Sequence, residues 1–313
     1  MAFIINSNIA ADKASLFLSK NNNSLRKSMT RMASGKRVID PSDDAGGLAV
    51  SMKILSASKR LRGSEQNIQN AISFLQVQDG VLAGISELVD RMSELRALSN
   101  DVLKNQEDLE SYNKEFKDLQ LQMYDMAQEK FNEVSLFARY TEEKGLTESL
   151  YGGTSSQDNT VNLYVSEDGE SGPVISINKS SLLSALTISR SLPSLDASEY
   201  GNADQNTIVR FASPAGGQLL NLTDLSVAVF KQVIENISSL RSENGATMSR
   251  LLYSSDNAAR KRTNLISANG KIMDVDVASE STNLAKQNVL VQASASMLAQ
   301  ANDLTSLALA LIK

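Results

Sequence analysis

Cysteine, histidine and tryptophan are all missing from this 313-residue chain. Without cysteine there are no disulfides, no thiol nucleophile and no thiolate metal ligand. Without histidine there is no imidazole base and no Cys/His zinc site. Only Ser–Lys or paired-carboxylate chemistry is left for an enzyme, and no cofactor or metal is expected. Aromatic residues make up 5% of the chain and prolines number four. That scarcity favours long helices with Ala, Leu, Ile and Met seams over a thick aromatic core. No stretch reaches the 18 or so apolar residues of a membrane span, so no membrane insertion is predicted. MAFIINSNIAADKASLF has neither a basic leader nor a continuous apolar run, so no secretory signal peptide is expected there. Any export needs a machine that reads something else. The net charge of −5 argues against nucleic acid as a partner.

What the chain does have is helical periodicity, above all at its C-terminal end. Leu290, Ser294, Met297, Ala301, Leu304, Ala308 and Leu311 recur at alternating steps of four and three. That spacing lines one narrow helix face, as in a coiled-coil seam. A helix this apolar needs a partner, in the chain or on other copies of it.

The same pattern appears from the other end. Residues 7 to about 33 read as an amphipathic helix capped by Asn6 or Ser7, with Leu18, Leu25, Met29 and Met32 on one face. GKRVIDPSD (35–43) reads as an extended connector, because Pro41 disfavours a helical Asp40. A long helix follows from about Ser42 to Asn100, with Asp43 and Asp44 at its positive end. A third runs from Gln106 to about Lys130. The period then changes. FNEVSLFARY reads as strand and turn, and VNLYV and PVISI flank the turn EDGESG. SSLLSALTIS (180–189) suits a short helix, and 191–223 reads as irregular. Helical spacing resumes from Asp224 to about Ala268. Asn269-Gly270 is expected to end that helix before the terminal one begins.

The order of elements is nearly palindromic, and charge fits a pairing of the ends. Residues 1–40 carry seven basic side chains against Asp12 and Asp40, whereas 274–313 carry four acids against Lys286 and Lys313. The expected fold is mainly α: a long antiparallel helical hairpin or coiled-coil bundle. Both termini meet at one end and a small β-hairpin region sits at the other. The expected domains are 1–43 with 274–313 as terminal helices, and 44–190 with 224–273 as a long-helix rod with a small β region. Residues 191–223 form a short outer segment.

Several long motifs, in order, resemble the bacterial flagellins. They are SGKRVIDPSDDAGGLAVSMKI, then QNIQNAISFLQVQDGVLAGISELVDRMSELRALSND, then IMDVDVASE and VQASASMLAQAN near the C-terminus. The resemblance covers roughly 1–140 and 224–313. It departs at FNEV (131–134), where Glu133 stands in place of the family's usual Gly, and in the lack of a large variable outer domain. The resemblance implies a non-enzymatic subunit of the extracellular flagellar filament, serving motility. Such subunits are exported unfolded by the type III flagellar machinery and assemble at the distal tip. Terminal helices disordered in the monomer become the inner wall of the polymer. The inner seam would comprise Leu18, Leu25, Met29, Met32, Leu290, Met297, Ala301, Leu304, Ala308 and Leu311.

Implied partners are further copies of the chain, an export chaperone on the C-terminal helix, and the filament cap and hook-junction proteins. A Toll-like receptor is a further one, through Arg91, Leu95 and Glu115; Ser93 and Leu98 depart from the family's usual residues there. The plain alternative for Arg91 and Glu115 is a pair of solvated charges. Asp43-Asp44 and Asp274/Asp276 suit helix capping and connector roles rather than a metal site. The competing identities are a hook–filament junction protein of the same family and, in another class, a cytoplasmic coiled-coil scaffold.

Overall fold

A computed structural model describes residues 8–138, 160–189, 208–212 and 219–311. The chain divides into two compact units: Met1–Lys59 with Lys261–Lys313, and Arg60–Arg260. The boundaries fall further along both long helices than the expected 43 and 274.

In the terminal unit, α1 (Ile9–Ser34) is capped by Asn8, whose side chain accepts from the Ala11 amide at 3.0 Å. It ends where Gly35 turns left-handed at φ 68, a conformation cheap only for glycine. Residues 35–37 then run beside 272–275. Arg37 donates its amide to Met273 O at 2.7 Å and its guanidinium to Ile272 O at 2.8 Å, while Lys36 bridges Asp274. The connector the sequence calls for over 35–43 is open over 36–39, where it buries Val38, but turns at 40–43, where the Asp43 amide donates to Asp40 O at 2.9 Å.

α2 (Ala45–Leu98) begins three residues later than expected. Asp44 accepts from the Gly47 amide at 2.8 Å and so caps it, but Asp43 turns back toward α1. α5 (Val227–Met273) continues through Asn269-Gly270 instead of breaking there. Asn269 accepts from the Ser51 hydroxyl at 2.6 Å, and a Cβ on Gly270 would lie 2.8 Å from the Asp274 carboxylate. Glycine is therefore a packing choice at 270. The break falls four residues on, where Asp276 accepts from the Ala278 amide at 3.0 Å and starts α6 (Val277–Leu311).

α1 and α6 pair antiparallel, with Asn8 donating to Ala301 O and Asn21 to Ser294 Oγ. α2 and α5 pair antiparallel too. In the terminal unit Ser51 meets Asn269, and in the other unit Asp79 meets Arg241 and Leu75 O accepts from Asn244. The mainly helical hairpin with its termini together is thus the observed fold.

The second unit holds the core. α3 (Gln106–Ala127) starts on a full capping box between Asn105 and Asp108. Its Phe116 and Met123 pack with Leu82, Ile85, Val89 and Met92 of α2 and with Val229, Phe230 and Val233 of α5. Phe230 takes Phe116 and Phe211 edge-on, at 6.2 and 5.2 Å between ring centroids. Three antiparallel hairpins close the unit: β1–β2 (Lys130–Phe131, Val134–Ser135), β3–β4 (Thr160–Tyr164, Val174–Asn178) and β5–β6 (Thr187–Ser189, Ile208–Arg210). The expected helix over 180–189 is only the single turn α4 (Leu182–Ala185), because the chain passes straight into β5. Its partner β6 lies in a stretch expected to be irregular. The rest of that stretch, apart from 211–212 and 219–223, is outside the described residues.

Candidate assembly surface

The α1–α6 pair is a two-helix coil with one face used and the rest open. On α1 a row of buried and half-buried positions runs Ala11, Ala14, Leu18, Asn21, Leu25, Ser28 and Met32 at alternating steps of three and four, with Ser24 and Arg31 half-buried beside it. On α6 the row is Glu280, Leu284, Gln287, Val291, Ser294, Leu298 and Ala301. Both rows are heptad seams. Leu18, Leu25, Met32 and Ala301 therefore sit between the two helices.

Leu290, Met297 and Met29 do not: they are 36%, 67% and 55% exposed. The C-terminal apolar stripe is split, with Ser294 and Ala301 inward and Leu290 and Met297 outward. α6 is apolar on more than one face, and the row that meets Leu18 and Leu25 runs through Leu284, Val291 and Leu298. Leu304, Ala308 and Leu311 fall on the α6 backbone, but their side chains lie outside the described set.

Little of the terminal unit is buried. Among its described apolar residues, only Val38, Met273 and Ala301 are fully so. Leu16, Phe17, Met52, Val289 and Met297 are each more than half exposed. Inside the seam, Gln287 Oε1 and Arg31 Nε are buried with no hydrogen-bond partner, at a cost of about 1–3 kcal/mol each. Asp43 fastens the connector: it pairs with Lys27, lies 3.8 Å from Arg31 and accepts from the Ile39 amide. The Lys27 bond, then the amide, hold its carboxyl below the usual carboxylate range.

In the second unit, Arg91 and Glu115 meet at 2.7 Å, and Arg91 also reaches Glu94 at 2.7 Å. Glu115 and then Glu94 raise the guanidinium pKa above its ordinary value. Both Arg91 and Glu115 are accessible. Leu95 is fully buried in the α2–α3–α5 core, so as placed it offers no surface to a receptor. The sequence reading missed the polar fasteners of this unit. Buried Gln120 both donates to Leu220 O and accepts from Leu220 N, and Asn236 reaches Ala185 O. Their only sequence signal is an amide placed on an otherwise apolar helix face. Among the described residues no group of three acidic side chains could hold a metal, and no helix is long and apolar enough to cross a membrane.

The family model for the bacterial flagellin N-terminal helical region matches residues 5–142, and that for the C-terminal helical region matches 227–312. The flagellin of Bacillus subtilis (strain 168) is 30% identical over 302 residues, covering 96% of each chain. The chain belongs to the bacterial flagellin family. The flagellar filament 33 kDa core protein of Treponema phagedenis is 28% identical, over 99% of this chain and all of that one. At the level of fold alone, a flagellar hook-associated protein from Vibrio parahaemolyticus matches with a TM-score of 0.52 and 12% identity, over 74% of this chain and the whole of that one. The flagellin matches set the cytoplasmic scaffold and the hook-junction alternative aside. This flagellin is a structural, non-enzymatic subunit of the flagellar filament, an extracellular organelle of motility.

Proposed function

We propose that α1 and α6 order only in the polymer, where their outward faces pack against neighbouring copies as the inner wall of the filament. The observation that carries this is the contrast in burial. A two-helix coil that leaves Leu16, Phe17, Val289 and Met297 in water lacks the core to stay folded alone. The seam then has two parts. Leu18, Leu25, Met32 and Ala301 join the two helices within a subunit, and Met29, Leu290 and Met297 join subunits. Leu304, Ala308 and Leu311 would continue that contact toward the C-terminus. The subunit leaves the cell unfolded and adds at the distal tip, in contact with the cap there and with the hook-junction proteins at the base. Before export, a chaperone covers the apolar α6. Where a Toll-like receptor meets the monomer, Arg91 and Glu115 are the accessible contacts, and Leu95 acts from beneath by positioning α2 against α3.

Deletion of residues 290–313 tests the reading. The truncated chain is expected to be exported and to keep the second unit's fold, as a monomer that does not polymerise. Filaments of ordinary thermal stability from the truncated chain would contradict it.

A further inference from the structure

α5 carries two Asn-Gly pairs, Asn244-Gly245 and Asn269-Gly270. An asparagine ahead of glycine is chemically labile wherever the backbone is free to turn, because glycine bears no side chain to shield its nitrogen. At the second pair the Gly270 main-chain nitrogen attacks Cγ of Asn269. The N–Cγ bond forms, the Cγ–Nδ2 bond breaks, and ammonia leaves with the proton that the nitrogen gives up. Water then opens the cyclic imide at either carbonyl. One opening gives aspartate, and the other gives isoaspartate, whose main chain is longer by a methylene.

A helix blocks the first step. It keeps the Gly270 amide engaged along the helix axis. The Ser51 hydroxyl, donating at 2.6 Å, also fixes the Asn269 side-chain carbonyl. The two pairs share this helix but lie in different units. Asn244 is 4% exposed in the second unit, and it donates to Leu75 O at 3.1 Å. Asn269 is half-buried in the terminal unit, with α1 and α6.

We propose that Asn269-Gly270 is a site of spontaneous deamidation in subunits that have not yet assembled, and that the filament stops the reaction. Asn244-Gly245 is protected in both states. The inference rests on the terminal helices ordering only in the polymer, and it extends that opening to the end of α5 that shares their unit. The two products differ in what the filament can accept. Aspartate keeps an oxygen that accepts from Ser51. Isoaspartate shifts the main chain beyond it, so the Ile272 and Met273 carbonyls that take Arg37 fall out of register. Assembly therefore rejects subunits that carry isoaspartate at 269.

Peptide mass spectrometry of monomer and of filament, each held at mildly alkaline pH, reads the conversion at both pairs. Asn269 should convert roughly tenfold or more faster in the monomer, since the rate follows the open population. Asn244 should persist in both. When aged monomer is seeded onto fresh filaments, isoaspartate should be enriched in the unassembled fraction, as read by isoaspartyl methyltransferase labelling. Fast hydrogen exchange over 262–273 in a monomer whose Asn269 stays intact overturns the inference and leaves polymer-coupled ordering standing. Slow exchange there in the monomer defeats that ordering at the end of α5, and the inference with it. Equal isoaspartate shares in filament and supernatant overturn the rejection step.

Discussion

Glu133 occupies a backbone position that glycine would hold more cheaply. The β1–β2 turn places Asn132 at φ 48 and Glu133 at φ 66, both left-handed. Asn tolerates that region, whereas Glu bears roughly 1–2 kcal/mol of strain there. Glu133→Gly is expected to stabilise the second unit by about 0.5–1 kcal/mol in urea unfolding, the gain being trimmed by glycine's freedom in the unfolded chain. Phe230 lies at the other extreme, fully buried between Phe116 and Phe211. Phe230→Ala should cost about 3–5 kcal/mol in the same measurement. The turn at FNEV was legible because a two-residue hairpin has a local signature. The phenylalanine cluster was not: its members stand at 116, 211 and 230, and no local pattern joins them. The buried Gln120 escaped for a related reason, since its partner is the backbone of Leu220 in a segment without periodicity.

At the scale of the element, helix existence was readable and helix ends were less so. The seam residues Leu18, Leu25 and Met32 follow from spacing, whereas Met29, read onto the same face, is exposed with Leu16 and Phe17. α6 has apolar residues on more than one face, so spacing could not say which row meets α1; the packing selects Leu284, Val291 and Leu298. Asn269-Gly270 reads as a stop signal, yet the helix runs through it, with Asn269 accepting from Ser51 and the Asp274 amide donating to Gly270 O at 2.8 Å. The connector between α1 and α2 hangs on Asp43. Its pKa is lowered in the folded unit, so its contribution is complete above the ordinary carboxylate value of about 4. That contribution is lost as pH falls through the lowered folded value. Acid titration of assembled filaments should therefore show a dissociation step below about pH 4. Asp43→Asn should weaken filaments at neutral pH and flatten that part of the pH dependence.

At the scale of the whole molecule, two units differ in what they can bury. The second unit encloses Phe116, Phe230, Ile85, Met92 and their neighbours and has the core of an independent fold. The terminal unit fully buries three of its described apolar residues and exposes many more. Its helices carry the charge bias, the heptad rows and the apolar outer faces that a polymer of identical copies uses. Hydrogen exchange, read peptide by peptide on purified monomer and on assembled filament, tests that claim most directly. Amides of 82–95 and 229–240 should be protected in both states. Amides of 9–34 and 277–303 should exchange at nearly unfolded rates in the monomer and become protected only in the filament. Equal protection of those terminal amides in the monomer would contradict the account.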